Sequence, residues 1–155
     1  MPNSTVTALD AWGSHIINNL STGLYQAKIK EANLYNRWFT PANVEKALTT
    51  IAEEFLDGEK LQAWSDSYNS QPRQRRQVGI VMAGNIPLVG FHDLLAVLVS
   101  GHQAVVKLSE KDDKLLPFLL KELSHISPEL AERVTITPRL RGFDGVIATG
   151  SNNAG

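Results

Sequence analysis

Residues 79 to 99 read GIVMAGNIPLVGFHDLLAVLV. Val78 to Ala83 is a short apolar run, the pattern of an enclosed strand. Gly84, Asn85 and Pro87 form a turn. Leu88 to Val99 is apolar nearly all round, so the helix it predicts is covered on every side. An enclosed strand, a tight turn and an enclosed helix restrict the chain to folds built on a buried parallel sheet. Folds of that kind that bind dinucleotides carry a G-x-G-x-x-G loop at such a turn. Here the glycine fingerprint is absent and an asparagine stands in its place.

The rest of the chain continues the alternation. Gly101 is placed to end the enclosed helix. Ala104 to Leu108 predicts a second strand. Asp112-Asp113 starts a helix with Leu115, Leu116, Leu119, Leu120 and Leu123 on its apolar face, and Pro117 keeps that start close by. Ser127-Pro128 opens a short helix to Arg133. Val134 to Thr137 and Gly145 to Ala148 predict further strands, the last running into TGSNNAG. Strands alternating with helices at this spacing imply right-handed crossovers and an α/β fold.

Ahead of this lies a helical region. Leu9, Trp12, Ile16, Ile17 and Leu20 recur at helical spacing. A second helix is expected over Leu24 to Trp38. Thr40-Pro41 starts a third, in which Val44, Leu48, Ile51, Phe55 and Leu56 form one stripe ended by Asp57-Gly58. Trp64 and Tyr68 close a shorter helix. The stripe and these aromatic residues read as core. NSQPRQRRQ (69–77), with Arg73, Arg75 and Arg76, reads as a solvated connector. Residues 1–70 are thus expected to form a helical region and 78–155 part of a cofactor-binding α/β domain, packed as one continuous unit.

Composition narrows the function. A formal net charge of -1 gives no reason to expect nucleic acid or an anionic membrane as partner. No apolar run is long enough to span a bilayer. MPNSTVTALD has neither a basic n-region nor an apolar h-region, so a cytoplasmic location is expected. The sequence contains no cysteine, which removes disulfides, thiolate zinc sites and a cysteine nucleophile from these residues. His15, His92, His102 and His125 are scattered, and no metal site is expected.

Three polar segments follow three strands: AGNIP (83–87), KLSE (107–110) and TGS (149–151). In an open parallel sheet the ligand crevice lies outside those strand ends. Ser151, after Gly150, and the free N–H groups there suit a phosphate. Lys107 and Glu110 can both hydrogen-bond ribose hydroxyls. The Asn85 amide can donate to a carbonyl oxygen that develops negative charge. Each also has a plain structural use: a turn asparagine, a surface ion pair, a helix cap. Their joint placement at successive strand ends favours a site.

VGIVMAGNIPLVGFHDLLAVLVSGHQAVVKLSEKDDKLLP resembles the cofactor-domain core of the aldehyde dehydrogenase superfamily. Its pattern there is a strand, a P-x-N-x-P turn, an enclosed helix, V-V-x-K-P-S-E and, further on, F-T-G-S, matched here by Ala148-Thr149-Gly150-Ser151. That fold lacks the usual glycine fingerprint. AGNIPLVGFHD and the helical preface with WFTPANV are most similar to its acyl-CoA reductase branch, the LuxC-type fatty acyl-CoA reductases. The resemblance covers nearly the whole chain. Leu108 departs from the proline of K-P-S-E, and Ala83-Gly84 from the usual proline and aromatic residue.

The resemblance implies an aldehyde-dehydrogenase-like Rossmann-type parallel sheet with an N-terminal helical region. It implies an oxidoreductase that converts acyl-CoA to aldehyde through a thioester acyl-enzyme. Asn85 resembles the oxyanion-hole asparagine, Lys107 and Glu110 the adenosine-ribose contacts, and Gly150 and Ser151 the pyrophosphate contact. The implied cofactor is NADPH, with NADH as the alternative. Acyl-CoA is the implied substrate, and a homo-oligomer or other enzyme subunits the implied partners. The family's nucleophilic cysteine follows the T-G-S segment, so this chain is expected to be an amino-terminal fragment, inactive alone and prone to associate through uncovered sheet surface. Another aldehyde or semialdehyde dehydrogenase, or a non-catalytic nucleotide-binding or interaction module, stays open as a reading.

Overall fold

The computed structural model describes residues 3–67 and 74–148. Tyr68, Arg73, Gly150 and Ser151 therefore lie outside the described residues. Helix α1 (Ser4–Asn19) starts where the Asn3 side chain accepts the Thr5 N–H. Helix α2 (Gly23–Tyr35) is capped by Thr22 and α3 (Pro41–Thr50) by Thr40, with Pro41 in its first turn. A π-helical turn (Ile51–Phe55) follows, then α4 (Gly58–Asp66) capped by Asp57. After the 68–73 gap come β1 (Gln77–Val81), α5 (Phe91–Val99), β2 (Gln103–Lys107), α6 (Leu115–Ile126), α7 (Pro128–Ala131), β3 (Val134–Ile136) and β4 (Gly145–Ala148).

The four strands form one parallel sheet in the order β3-β2-β1-β4. The chain steps outward from β1 to β2 to β3, then returns to the other side of β1. Strand order therefore reverses between β1 and β4, the place where open α/β sheets bind ligands. This is the expected mixed α/β architecture: a parallel sheet with N-terminal helices, of the aldehyde-dehydrogenase-like Rossmann type.

Alternation within the strands decides which face is covered. Ile80, Ala104 and Val106 are fully buried and belong to the same core as α1, α5 and α6. On the opposite face Gly79 lines up with Val105 and Val146. Leu140 and Phe143, from the connection between β3 and β4, lie over Gly79. Val146 remains 53% exposed.

Trp12 joins the helical region to the α/β part. It is fully buried, packs its ring 5.3 Å from that of Phe91 on α5, and donates its indole N–H to the Leu119 carbonyl on α6 at 3.2 Å. Arg133 makes a second tie. Its buried guanidinium donates to the Leu98 and His102 carbonyls and to the Thr5 hydroxyl oxygen. It thereby satisfies carbonyls at the end of α5, where a cation is also favoured by the helix dipole.

Four expected boundaries move, each for a local reason. Helix α2 stops at Tyr35, because Asn36 is extended and leaves Trp38 in solvent and Phe39 in the core. Helix α5 begins at Phe91 rather than Leu88, because Leu88 has φ 56, outside the right-handed helical region. Helix α6 begins at Leu115 rather than Asp112, with Pro117 in its first turn. The apolar stripe from Val44 to Leu56 is interrupted by the π-helical turn, in which the Leu56 N–H reaches the Ile51 carbonyl at 2.8 Å. Gly101 ends α5 as expected: its φ is 92, and the His102 N–H bonds back to the Val97 carbonyl.

Trp12→Ala removes a large ring and leaves the Leu119 carbonyl without its donor. It should destabilise the chain by roughly 3–5 kcal/mol in urea unfolding. A loss below about 1 kcal/mol would show that α1 is not integral to the α/β core.

Candidate functional site

The segments after β1 and β2 meet directly. The ladder extends one bond past β1, the Met82 N–H donating to the Lys107 carbonyl at 3.0 Å. The chain then turns through residues 83–90. A Cβ on Gly84 would fall 2.5 Å from Ser109 Oγ and 2.7 Å from Lys111 Cβ. Only glycine leaves room for this approach. The loop after β2 is itself tight: the Asp112 N–H donates to the Ser109 carbonyl, and the Lys111 N–H to Ser109 Oγ. Asn36, beyond α2, donates its side-chain amide to the Lys111 carbonyl at 3.1 Å.

Three of the expected site residues lie within the described residues. Asn85 is exposed in the turn, and its side chain makes no hydrogen bond among the described residues, unlike an ordinary turn asparagine. Lys107 is the last residue of β2, and Glu110 lies in the loop beyond it. Both are exposed, and neither forms an ion pair among the described residues. Strand register sets Val81 opposite both Lys107 and Ala148. The ends of β2, β1 and β4 are therefore level, and two strand spacings of about 10 Å separate the outer two.

A cleft of about 480 Å³ opens beside Asn85, between the turn and α3. Ile86, Leu88 and Val89 form one wall; Trp38, Ala47 and Phe55 form the other. Trp38 is 86% exposed at its rim. Part of the stripe expected to be only core, Ile51 and Phe55, thus lines a cleft as well. π-helical turns recur at functional sites because they displace side chains from the helical register. Sequence periodicity carries no sign of this one.

Asp112 was read as a helix start and does something else. Its Oδ2 accepts the Leu88 N–H at 2.7 Å. Leu88 holds a left-handed conformation that costs a residue with a Cβ roughly 1–2 kcal/mol. Asp112 is only 8% exposed. Burial pushes its carboxyl up to about 6; the Leu88 bond opposes this, and the neighbouring Asp113 charge adds to it. The signal available in the sequence was Pro117, which confines the helix start to a point beyond Asp112.

Among the described residues no group of His, Cys, Asp or Glu is arranged to hold a metal ion. No helix there is long and apolar enough to cross a membrane.

The raised Asp112 value has a thermodynamic consequence. The native state binds this proton more tightly than the unfolded chain, so the associated stability is present below pH 3.8 and lost as pH rises through about 6. Measured against Asp112→Asn, which has no proton to bind there, the wild-type chain should gain about 2–3 kcal/mol between pH 7 and pH 4. Urea midpoints of the two proteins at both pH values check this. Parallel pH profiles would mean the carboxyl is not buried.

Comparison with known proteins was made for families, curated sequences and solved structures. No curated protein and no solved structure matched. The family model for acyl-CoA reductase (LuxC) matched residues 11–154. That span takes in α1 to β4, the Asn85 turn and the loop carrying Lys107 and Glu110, and the chain belongs to the LuxC acyl-CoA reductase family.

Proposed function

We propose that this chain supplies the cofactor contacts and the oxyanion donor of an NAD(P)H-dependent reductase that converts acyl-CoA to aldehyde. The observation that carries the reading is the level set of strand ends at the reversal of strand order. There the Asn85 amide is unbonded, and Lys107 and Glu110 carry no ion pair among the described residues. Lys107 and Glu110 hold the adenosine ribose. Gly150 and Ser151, outside the described residues, meet the pyrophosphate. The exposed, unpaired side chains and the glycine-only contact at Gly84 fit a nucleotide lying across these ends. When bound, the cofactor supplies hydride to the acyl carbon.

The chain's own part in the chemistry follows. A cysteine thiolate, which these 155 residues do not contain, attacks the thioester carbonyl from outside them. The carbonyl π pair moves onto oxygen, and the Asn85 amide N–H donates to that oxyanion. The C–S bond to CoA then breaks, and CoA leaves as its thiolate. The acyl chain lies in the cleft between Ile86, Val89 and Phe55, where apolar walls exclude water.

Asn85 acts mainly on charge that develops in the transition state. In the enzyme containing this chain, Asn85→Ala should lower kcat and kcat/KM together by about 10²–10³. A normal kcat with only a raised KM would reduce Asn85 to a turn residue or a ground-state contact.

Glu110 accepts a ribose hydroxyl and repels a 2′-phosphate, and the unpaired Lys107 offsets part of that repulsion. NADPH is the proposed cofactor. Glu110→Gln should raise the NADPH/NADH ratio of kcat/KM roughly fivefold, the effect of removing about 1 kcal/mol of like-charge repulsion at an exposed site. An unchanged ratio would overturn this account of selectivity.

A further inference from the structure

The bond between Asp112 and Leu88 joins the two segments that carry the proposed site residues. Leu88 lies three residues after Asn85, and Asp112 two after Glu110. A buried carboxylate is an expensive way to hold a turn, because an amide or hydroxyl oxygen accepts the same N–H without a charge to desolvate. Asp112 forms no ion pair among the described residues. The residue it holds is a leucine in a conformation that glycine adopts freely. Backbone strain and a buried charge therefore coincide beside an unbonded amide at the mouth of a cleft. Such coincidences cluster at functional positions.

We propose that Asp112 is a positioning residue: by accepting the Leu88 N–H it fixes the turn that aims the Asn85 amide, without touching substrate itself. This rests on the reading of Asn85 as oxyanion donor. Removing the acceptor frees Leu88 to relax toward the right-handed region, and the turn that includes Asn85 moves with it. Protonating the carboxylate weakens the bond without removing it, since charge-assisted bonds are roughly twice as strong as neutral ones. The charged groups around Asp112 are Lys111, Asp113 and Lys114 of its own loop. Lys114 is engaged with Asp113 at 3.6 Å and lies over the Tyr35 ring of α2 at 4.1 Å. Residues 83–90 contribute no ionisable side chain.

The test has a structural arm and a kinetic arm. In the chain itself, the Leu88 amide resonance should shift with pH about a midpoint near 6. That shift should vanish in Asp112→Asn. In the enzyme containing this chain, Asp112→Ala should lower kcat roughly tenfold with KM for acyl-CoA and cofactor little changed, the mark of an interaction made in the transition state. Asp112→Asn, whose amide oxygen still accepts the N–H, should recover most of that loss. Relative to Asp112→Asn, wild-type kcat should fall roughly threefold from pH 7 to pH 5 as the bond loses its charge assistance. A purely structural carboxylate would lower the amount of folded enzyme and leave the kcat of the folded fraction and its pH profile unmoved. A Leu88 amide that does not titrate overturns the contact. A titrating amide with normal kcat in Asp112→Ala, while Asn85→Ala is impaired, overturns the positioning role and leaves the Asn85 reading intact. If Asn85→Ala is itself normal, the oxyanion reading fails and the positioning role falls with it.

Discussion

The indole of Trp12 has two obligations, and the arrangement of the chain follows from meeting both. Its ring must be enclosed by apolar neighbours, and its N–H must find an acceptor. Phe91 on α5 meets part of the first and the Leu119 carbonyl on α6 meets the second. Because α5 and α6 are the crossovers that cover one face of the sheet, α1 is committed to lie over them. The N-terminal helices thus form an outer layer over the α/β part, with one hydrophobic core running through both. Arg133 repeats the connection at the other end of α5 by joining Thr5 to the carbonyls of Leu98 and His102.

That outer layer also reaches the strand ends. Asn36 holds the Lys111 carbonyl from beyond α2, and α3 with its π-helical turn supplies a wall of the cleft. The helical region is therefore more than a cover. In the proposed reading it shapes where an acyl chain lies relative to Asn85, while the sheet determines where the cofactor contacts stand. The two loops between them are joined at two points of different character. At Gly84 the contact is steric and needs the absence of a side chain. At Asp112 it is a hydrogen bond to a strained residue, kept at the cost of a buried charge.

What could be read from the sequence divides along the range of the interactions involved. Local signals were sufficient for Thr40-Pro41, for Gly101 and for β4, whose bounds match expectation because apolar alternation and flanking glycine are properties of the segment itself. The turn after β1 and the exposed positions of Lys107 and Glu110 followed from the same strand-end logic. The start of α5 was not legible, since Leu88 is apolar and periodic with the helix that follows. Its departure depends on a carboxylate 24 residues further along. Asp112 itself looked like one of a pair of capping residues, and nothing nearby marks it as buried. The cleft was hidden for a related reason: Ile51 and Phe55 satisfy a helical stripe equally well whether the backbone winds as α or π.

The π-helical turn makes the shape of the cleft depend on chain length. A π turn contains one residue more than the α-helical path between the same ends. Deleting any one residue from 51 to 55 would let the segment close into α-helix, rotating everything after the deletion by about 100° about the helix axis relative to α3. Phe55 would swing off the wall it shares with Ala47, and the step into α4 would shift with it. Among proteins of this architecture, cleft width at this point is thus open to change by a single-residue insertion or deletion, with every side chain elsewhere unchanged.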